Sequence, residues 1–135
     1  MIPGAIHGGR AAAARSTFLT DQIATAGPAA LLVMLYDRLV MDLVRAEDAQ
    51  RAGVRETANA NLIHAQDIIN ELLATLDIAA WEGAPGLASL YAYVLGELVR
   101  ANVHGDAERT ATCRRLMEPL RDAWREASTI APAST

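Results

Sequence analysis

The stretch of sequence that decides the fold is residues 28–50, PAALLVMLYDRLVMDLVRAEDAQ. Apolar side chains recur in it every three or four residues, the spacing that lines one side of an α-helix. One row comprises Leu32, Leu35, Leu39, Leu43 and Ala46, and a second row beside it comprises Val33, Tyr36, Val40 and Val44. Proline is favoured in the first turn because its missing N–H would have no partner there. We therefore predict a helix over residues 28–50 with a wide apolar surface.

Three further segments with this periodicity follow, and glycine-containing breaks separate them. They predict helices over about residues 54–76, 85–102 and 106–127, the last with Asp106 as its N-cap. No segment alternates polar and apolar residues long enough to predict a strand. The predicted fold class is therefore all-α, an antiparallel four-helix bundle.

The two ends of the chain are predicted to lie outside this bundle. Residues 1–15 are rich in glycine and alanine and are expected to be a flexible leader, and residues 128–135 a flexible tail. Residues 16–24 hold Phe18, Leu19 and Ile23 at near-helical spacing, which predicts an additional short N-terminal helix. Residues 16–127 are expected to form a single helical bundle domain.

Composition argues against several classes of function. The 135 residues carry 16 acidic side chains and 12 basic ones, all arginine, for a net charge of -4. This balance argues against a nucleic-acid partner, which selects dense positive charge. The longest strongly apolar run, residues 29–36, is too short to cross a bilayer. No signal peptide is recognisable, so we expect a cytoplasmic protein without membrane insertion.

The sequence offers no convincing set of catalytic or metal-binding groups. Helical bundles that hold two metal ions use Glu-x-x-His pairs. Three residues before His64 stands asparagine, and three residues before His104 stands alanine. Cys113 falls at an apolar helical position and is expected to be a core residue. We predict no catalytic residue, no metal site, no cofactor and no enzymatic activity.

The feature that remains is the amount of apolar surface on the first helix. Only a narrow polar strip is left on it, around Arg38, Asp42 and Arg45. A central position in an irregular bundle would explain the second apolar row without any function. A groove for a partner's amphipathic helix would explain it as well, and so would a homodimer in which this row packs against its copy.

Four blocks of the sequence resemble the FliS family, the flagellin-specific export chaperones of bacterial flagella. They begin at Thr25, Asn61, Leu90 and Arg115 and read TAGPAALLVMLYDRLVMDLVRAEDA, NLIHAQDIINELLATLD, LYAYVLGELVRANVHGD and RLMEPLRDAW. The most specific parts in combination are MLYD, AQDIINEL and the pattern LYxYxxxxLxxAN. The resemblance covers about residues 18–126, in order and without large gaps.

The resemblance implies partners and a location. Members of this family bind the disordered C-terminal segment of flagellin, which forms helices in hydrophobic grooves, and so prevent polymerisation before export. A second implied partner is the membrane component of the type III export gate, to which the chaperone helps deliver flagellin. A cytosolic protein without cofactor or catalysis is implied too. A dimeric helical scaffold without a flagellin client is the alternative.

The resemblance and the apolar pattern together assign residues to the binding site. Apolar contacts to flagellin are expected from Ile23, Leu31, Leu35, Tyr36, Ile69, Leu73, Leu95 and Val99, and hydrogen bonds to its backbone from Asn61, Gln66 and Asn102. Phe18 stands where the family usually has a tyrosine. With Ile23 it is expected to form an N-terminal gate over part of the groove.

Overall fold

Four α-helices make up the part of the chain that the computed structural model describes, residues 28–130. They are α1 (Pro28–Arg51), α2 (Arg55–Thr75), α3 (Ala84–His104) and α4 (Ala107–Ile130), and no strand occurs among these residues. The all-α prediction and its four helices are confirmed. The predicted short helix at residues 16–24 lies outside the described residues.

Helix α1 is the central element, because it packs along its length against both α2 and α4. Members of both predicted apolar rows are buried: Leu35, Tyr36, Leu39, Val40, Leu43 and Ala46. Val44, the last residue of the second row, and Met41, further round the helix, are exposed. Two neighbouring helices therefore cover most of the wide apolar surface, and its width follows from the central position of α1.

Ion pairs between α1 and α4 show that these helices run antiparallel. Asp37, near the start of α1, pairs with Arg125 near the end of α4, and Glu47 pairs with Arg114 in the first half of α4. Helix α2 packs against α1 and α3, and α3 packs against α4. Each helix thus contacts its neighbours in sequence, and the α1–α4 contact closes the ring of a four-helix bundle.

Two glycines with positive φ lie in the short connections from α1 to α2 and from α3 to α4. Gly53 (φ 76°) lies between α1 and α2, and Gly105 (φ 61°) caps the C-terminus of α3 in the left-handed conformation. A side chain with a Cβ atom is strained at these angles. Asp106 follows, and its Oδ1 accepts a hydrogen bond from the Arg109 backbone N–H at 3.0 Å. The predicted N-cap of α4 is therefore confirmed.

The inner face of α4 differs from the one that its apolar spacing predicts, which comprises Cys113, Leu116, Leu120, Ala123, Trp124 and Ala127. Its buried residues are Thr110, Ala111, Cys113 and Met117. Leu120 and Trp124 pack against the core as predicted, but Leu116 is exposed. Because α4 contacts α1 more extensively than α3, its buried side is turned toward α1 and leaves Leu116 outside.

The C-terminal end of α4 extends beyond the prediction. The helix continues past Pro119 to Ile130, so residues 128–130 are helical although the sequence placed them in a flexible tail. The Ser128 and Thr129 hydroxyls donate to the carbonyls of Arg125 and Glu126, at 2.8 and 2.7 Å. These hydrogen bonds attach the Ser128 and Thr129 side chains to the preceding helical turn and replace hydrogen bonds to water.

Candidate functional site

Helices α2 and α3 share an outer face on which two rows of side chains run side by side. The α2 row is Asn59, Gln66 and Leu73, and the α3 row, read in the opposite direction, is Asn102, Leu95 and Ala88. Asn102 Nδ2 donates to Asn59 Oδ1 at 2.7 Å, which aligns the rows. Seven residues are close to two helical turns. Gln66 therefore lies level with Leu95, and Leu73 level with Ala88.

Apolar side chains beside these rows are open to solvent. Ile63 on α2 is 47 % exposed, and on α3 Val99 is 44 % and Val103 66 % exposed. Leu73 and Leu95 are partly buried and pack against the core. The apolar interior thus continues outward between the two helices. We term this surface the α2–α3 face, formed by Asn59, Ile63, Gln66, Leu73, Leu95, Val99, Asn102 and Val103.

The predicted flagellin-binding residues fall into several places in the structure. Those on the α2–α3 face are Gln66, Leu73, Leu95, Val99 and Asn102. Leu35, Tyr36 and Ile69 are instead buried in the core, with exposures of 2 % or less. Side chains buried this completely are reached by a partner only when helices separate. Their apolar character at helical spacing, which led to their selection, is shared by core and groove residues alike.

Asn61 and Leu31 lie neither on the α2–α3 face nor among the fully buried core residues. Asn61 is one turn before His64, on the side of α2 toward α1, and its Nδ2 donates to the Thr57 carbonyl at 2.9 Å. Leu31 lines an apolar cavity of about 310 Å³ at the end of the bundle where α1 begins. Ile23 and Phe18, the predicted gate, lie outside the described residues.

The apolar cavity borders an aromatic cluster from three helices. Its walls include Trp81, Tyr91 and Trp124. The ring of Tyr36 lies 6.4 Å from that of Tyr91 and 6.3 Å from that of Trp124, between centroids, and the Tyr36 and Tyr91 hydroxyl oxygens are 2.6 Å apart. Burial raises the pKa of both tyrosines, so both stay protonated. This cluster joins α1 to α3 and α4.

A polar cleft of about 750 Å³ lies at the opposite end of the bundle. Its lining includes Arg55, His104 and the amides of Gln50, Asn59 and Asn102. Gln50 Nε2 donates to the Ala101 carbonyl at 3.1 Å, which joins α1 to the last turn of α3. Because Asn59 and Asn102 also belong to the α2–α3 face, the cleft continues that face at one end.

A buried carboxylate lies between α1 and α2, and the sequence pattern alone does not reveal it. Asp42 is fully buried, and its Oδ1 accepts a hydrogen bond from Arg38 Nε at 3.2 Å. Its Oδ2 is in hydrogen-bonding contact with His64 Nδ1. The spacing of Arg38 and Asp42 indicates an ion pair. Both residues belong to the narrow polar strip of α1, and only the packing of α2 against it shows the burial.

The described side chains offer little for catalysis. Burial raises the pKa of Cys113 to about 12, so its sulfur is a neutral thiol at physiological pH and a poor nucleophile. Within residues 28–130, no three His, Cys, Asp or Glu side chains are placed to hold a metal ion. None of the four helices has both the length and the apolar character needed to cross a membrane.

The fold and the α2–α3 face define a class of protein, a helical bundle that exposes apolar and amide side chains on the outer face of two adjacent helices. The family model of the flagellar protein FliS matches residues 10–131, and the chain belongs to this family. FliS proteins are chaperones and not enzymes.

Similar curated proteins carry the name flagellar secretion chaperone FliS. The protein of Bacillus subtilis strain 168 is 32 % identical over 112 residues, covering 83 % of this chain and 84 % of its own. That of Escherichia coli K12 is 31 % identical over 105 residues and 76 % of each chain. That of Salmonella typhimurium LT2 is 32 % identical over 108 residues, 78 % of this chain and 80 % of its own.

Proposed function

We propose that this protein is a cytosolic chaperone of flagellar export, and that it binds the C-terminal segment of flagellin as an amphipathic helix along the α2–α3 face. One observation carries the proposal: half-exposed apolar side chains and amides stand in two aligned rows on adjacent helices. The names of the related proteins support a role in flagellar secretion. They name no client.

The apolar side chains would supply most of the binding free energy. Full burial of an exposed valine or isoleucine contributes about 1.5–3 kcal/mol. Ile63, Val99 and Val103 have lost part of that exposure already, so about 1 kcal/mol each is the expected gain on binding. A helix with apolar residues at i, i+3 or i+4 and i+7 has the spacing to cover all three side chains.

The amides at the edge of the face would fix the register of the bound helix. Asn102 uses its Nδ2 in the bond to Asn59, and its Oδ1 remains to accept a hydrogen bond. Asn59 keeps its Nδ2 hydrogens as donors. A helix end offers unpaired N–H or C=O groups to such amides. We therefore expect one end of the client helix near these two asparagines.

Binding of this kind would prevent early polymerisation because the chaperone occupies the segment that flagellin subunits use to contact each other. A segment folded against the α2–α3 face cannot make contacts between flagellin subunits at the same time. A segment that is disordered when free must be ordered on binding, which lowers its affinity per unit of buried area and keeps release easy. Release is what delivery to the export gate requires, and we include that delivery in the proposal.

Co-purification with two forms of flagellin tests the client. Full-length flagellin should be retained by the tagged protein, and flagellin that lacks its C-terminal segment should not. Retention of the truncated form would refute the assignment of the binding segment. Sedimentation with and without a C-terminal peptide addresses the alternative scaffold, because a homodimer that is indifferent to the peptide would contradict a client-binding chaperone.

A further inference from the structure

Helix α3 carries no charge over more than half of its length. Residues 84–96 read APGLASLYAYVLG, and none of them is charged. This stretch spans more than three turns, so its side chains point in all directions around the helix. A helix that is apolar all round is normally buried all round, yet here only the side with Leu87, Tyr91 and Val94 is buried. The other sides of α3 are therefore available for contact with a partner.

One of these sides faces α4. Arg109 Nη1 donates to Glu97 Oε1 at 2.9 Å, which aligns the two helices. Tyr93 stands one turn before Glu97, and Leu116 stands two turns after Arg109, so both lie on the side where α3 and α4 meet. Tyr93 is 52 % exposed and Leu116 is 37 % exposed.

The side chains around Tyr93 and Leu116 are apolar as well. Leu90 and Leu120 are partly buried and pack against the core, and Ala123 is exposed one turn after Leu120. We term this surface the α3–α4 face, formed by Leu90, Tyr93, Leu116, Leu120 and Ala123. As on the α2–α3 face, the apolar interior continues outward between two helices.

The two faces are continuous across the outer side of α3. Ser89, Ala92 and Gly96 stand at the spacing of one helical side, between the two faces, and all three are small and uncharged. Neither charge nor bulk on α3 therefore separates the α2–α3 face from the α3–α4 face. A polypeptide on one face can reach the other across this ridge.

The α2–α3 face alone supplies little affinity. The apolar gains expected there from Ile63, Val99 and Val103 together correspond to a dissociation constant weaker than about 1 mM. Association also costs the freedom of the two partners and the ordering of the client. A complex that survives co-purification, as the proposed function requires, needs more apolar contact than these three side chains provide.

We infer that the client polypeptide bound on the α2–α3 face crosses α3 and places a second apolar segment on the α3–α4 face. This inference rests on the proposed function and adds a second contact surface to it. Because the second segment is tethered to the first, its binding is intramolecular, and even a small face raises the overall affinity.

The size of the α3–α4 face favours a tethered segment over a second copy of this chain. Two helical turns on two adjacent helices cover roughly 200–300 Å². Each partner in a stable complex buries about 800 Å². The face is therefore too small to hold a stable homodimer by itself.

The test measures the affinity of a synthetic peptide of the complete flagellin C-terminal segment by calorimetric titration. Tyr93→Asp and Leu116→Asp each place a charge on the α3–α4 face. Val44→Asp is the matched control, because Val44 is 38 % exposed on α1 and belongs to neither face. Circular dichroism verifies that each variant keeps the helix content of the wild type. Since Tyr93 is more than half exposed, Tyr93→Asp serves as the test if Leu116→Asp does not fold.

The inference predicts that Tyr93→Asp and Leu116→Asp each weaken peptide binding about 5- to 20-fold, and that Val44→Asp binds like the wild type. Unchanged affinity in the folded α3–α4 variants would overturn the inference and leave the α2–α3 face as the binding site. Sedimentation without peptide addresses the second copy. A wild-type dimer that Leu116→Asp converts to a monomer, with peptide affinity unchanged, would also overturn it. A wild type that does not bind the peptide would overturn the proposed function itself.

Discussion

Tyr36 and Tyr91 share one hydrogen bond in the core, and their hydroxyl oxygens are 2.6 Å apart. Both residues are buried, so neither hydroxyl can exchange this partner for water. A buried polar group without a partner costs about 1–3 kcal/mol, whereas removing both partners together costs much less. The pair therefore stabilises the bundle chiefly because each hydroxyl satisfies the other.

We predict strong coupling between substitutions at these two positions. Tyr36→Phe or Tyr91→Phe alone should lower the free energy of unfolding by about 1–2 kcal/mol, because each leaves one buried hydroxyl unpaired. The double variant should lose less than the sum of the two single losses. Urea unfolding of the four proteins measures the coupling. Additive losses would mean that the hydroxyls do not depend on each other.

For Glu47, we can predict the direction in which its contribution to the free energy of unfolding changes with pH. Burial alone would raise the pKa of Glu47. Hydrogen bonds from Arg114 and Arg51 together lower it by a larger amount, so the pKa in the folded state is below the usual value. The unfolded chain then binds more protons than the folded one. The stability from Glu47 is present above the unfolded pKa of about 4.3 and is lost as the pH falls through the folded pKa.

Glu47→Gln should therefore destabilise the protein near neutral pH and not in acid. We expect a loss of about 1 kcal/mol in the free energy of unfolding near pH 7, shrinking toward zero near pH 3. Urea unfolding at several pH values measures this difference. Glu126→Gln, at an exposed acid with no ion pair within residues 28–130, is the control and should show no such trend. A Glu47→Gln loss of equal size near pH 3 would contradict the assignment.

At the scale of the helices, α1 and α4 show how much of the fold the pattern could predict. Apolar periodicity predicted the four helices, and glycine and Asp106 predicted their ends within a few residues. Periodicity does not reveal which neighbours cover a helix. For that reason the second row of α1 could be a groove or a core, and Asp42 could be taken for a surface residue. Leu35, Tyr36 and Ile69 were selected for binding for the same reason, yet they lie in the core.

Pro119 is a destabilising element within α4 and gives a prediction at this scale. The helix passes through it without interruption, although proline lacks the N–H that would bond to the Arg115 carbonyl and its ring crowds that turn. Pro119 is exposed, so replacing it creates no cavity. Pro119→Ala should raise the free energy of unfolding by about 1–3 kcal/mol, measured in urea. An unchanged or lower stability would show that the proline supports the packing of α4.

At the scale of the whole molecule, the α1–α4 side and the α2–α3 side differ in the pairing of their charges and in their exposed apolar side chains. The α1–α4 side pairs most of its acids with arginines, whereas the α2–α3 side leaves apolar side chains half exposed. The resemblance to the family predicted a client, and five of the residues predicted to bind it lie on the α2–α3 side. Which residues of α2 and α3 share a face depends on which helices become neighbours, so that emerged only from the structure.

The central claim is that the α2–α3 face binds the flagellin C-terminal segment, and one calorimetric titration tests it most directly. The peptide is titrated into the wild type, Val99→Asp and Met41→Asp. Val99 on α3 and Met41 on α1 are matched in exposure, at 44 % and 47 %. We predict that Val99→Asp weakens binding at least about tenfold, or 1.4 kcal/mol, and that Met41→Asp binds like the wild type. Unchanged affinity in Val99→Asp, or a loss confined to Met41→Asp, would contradict the account.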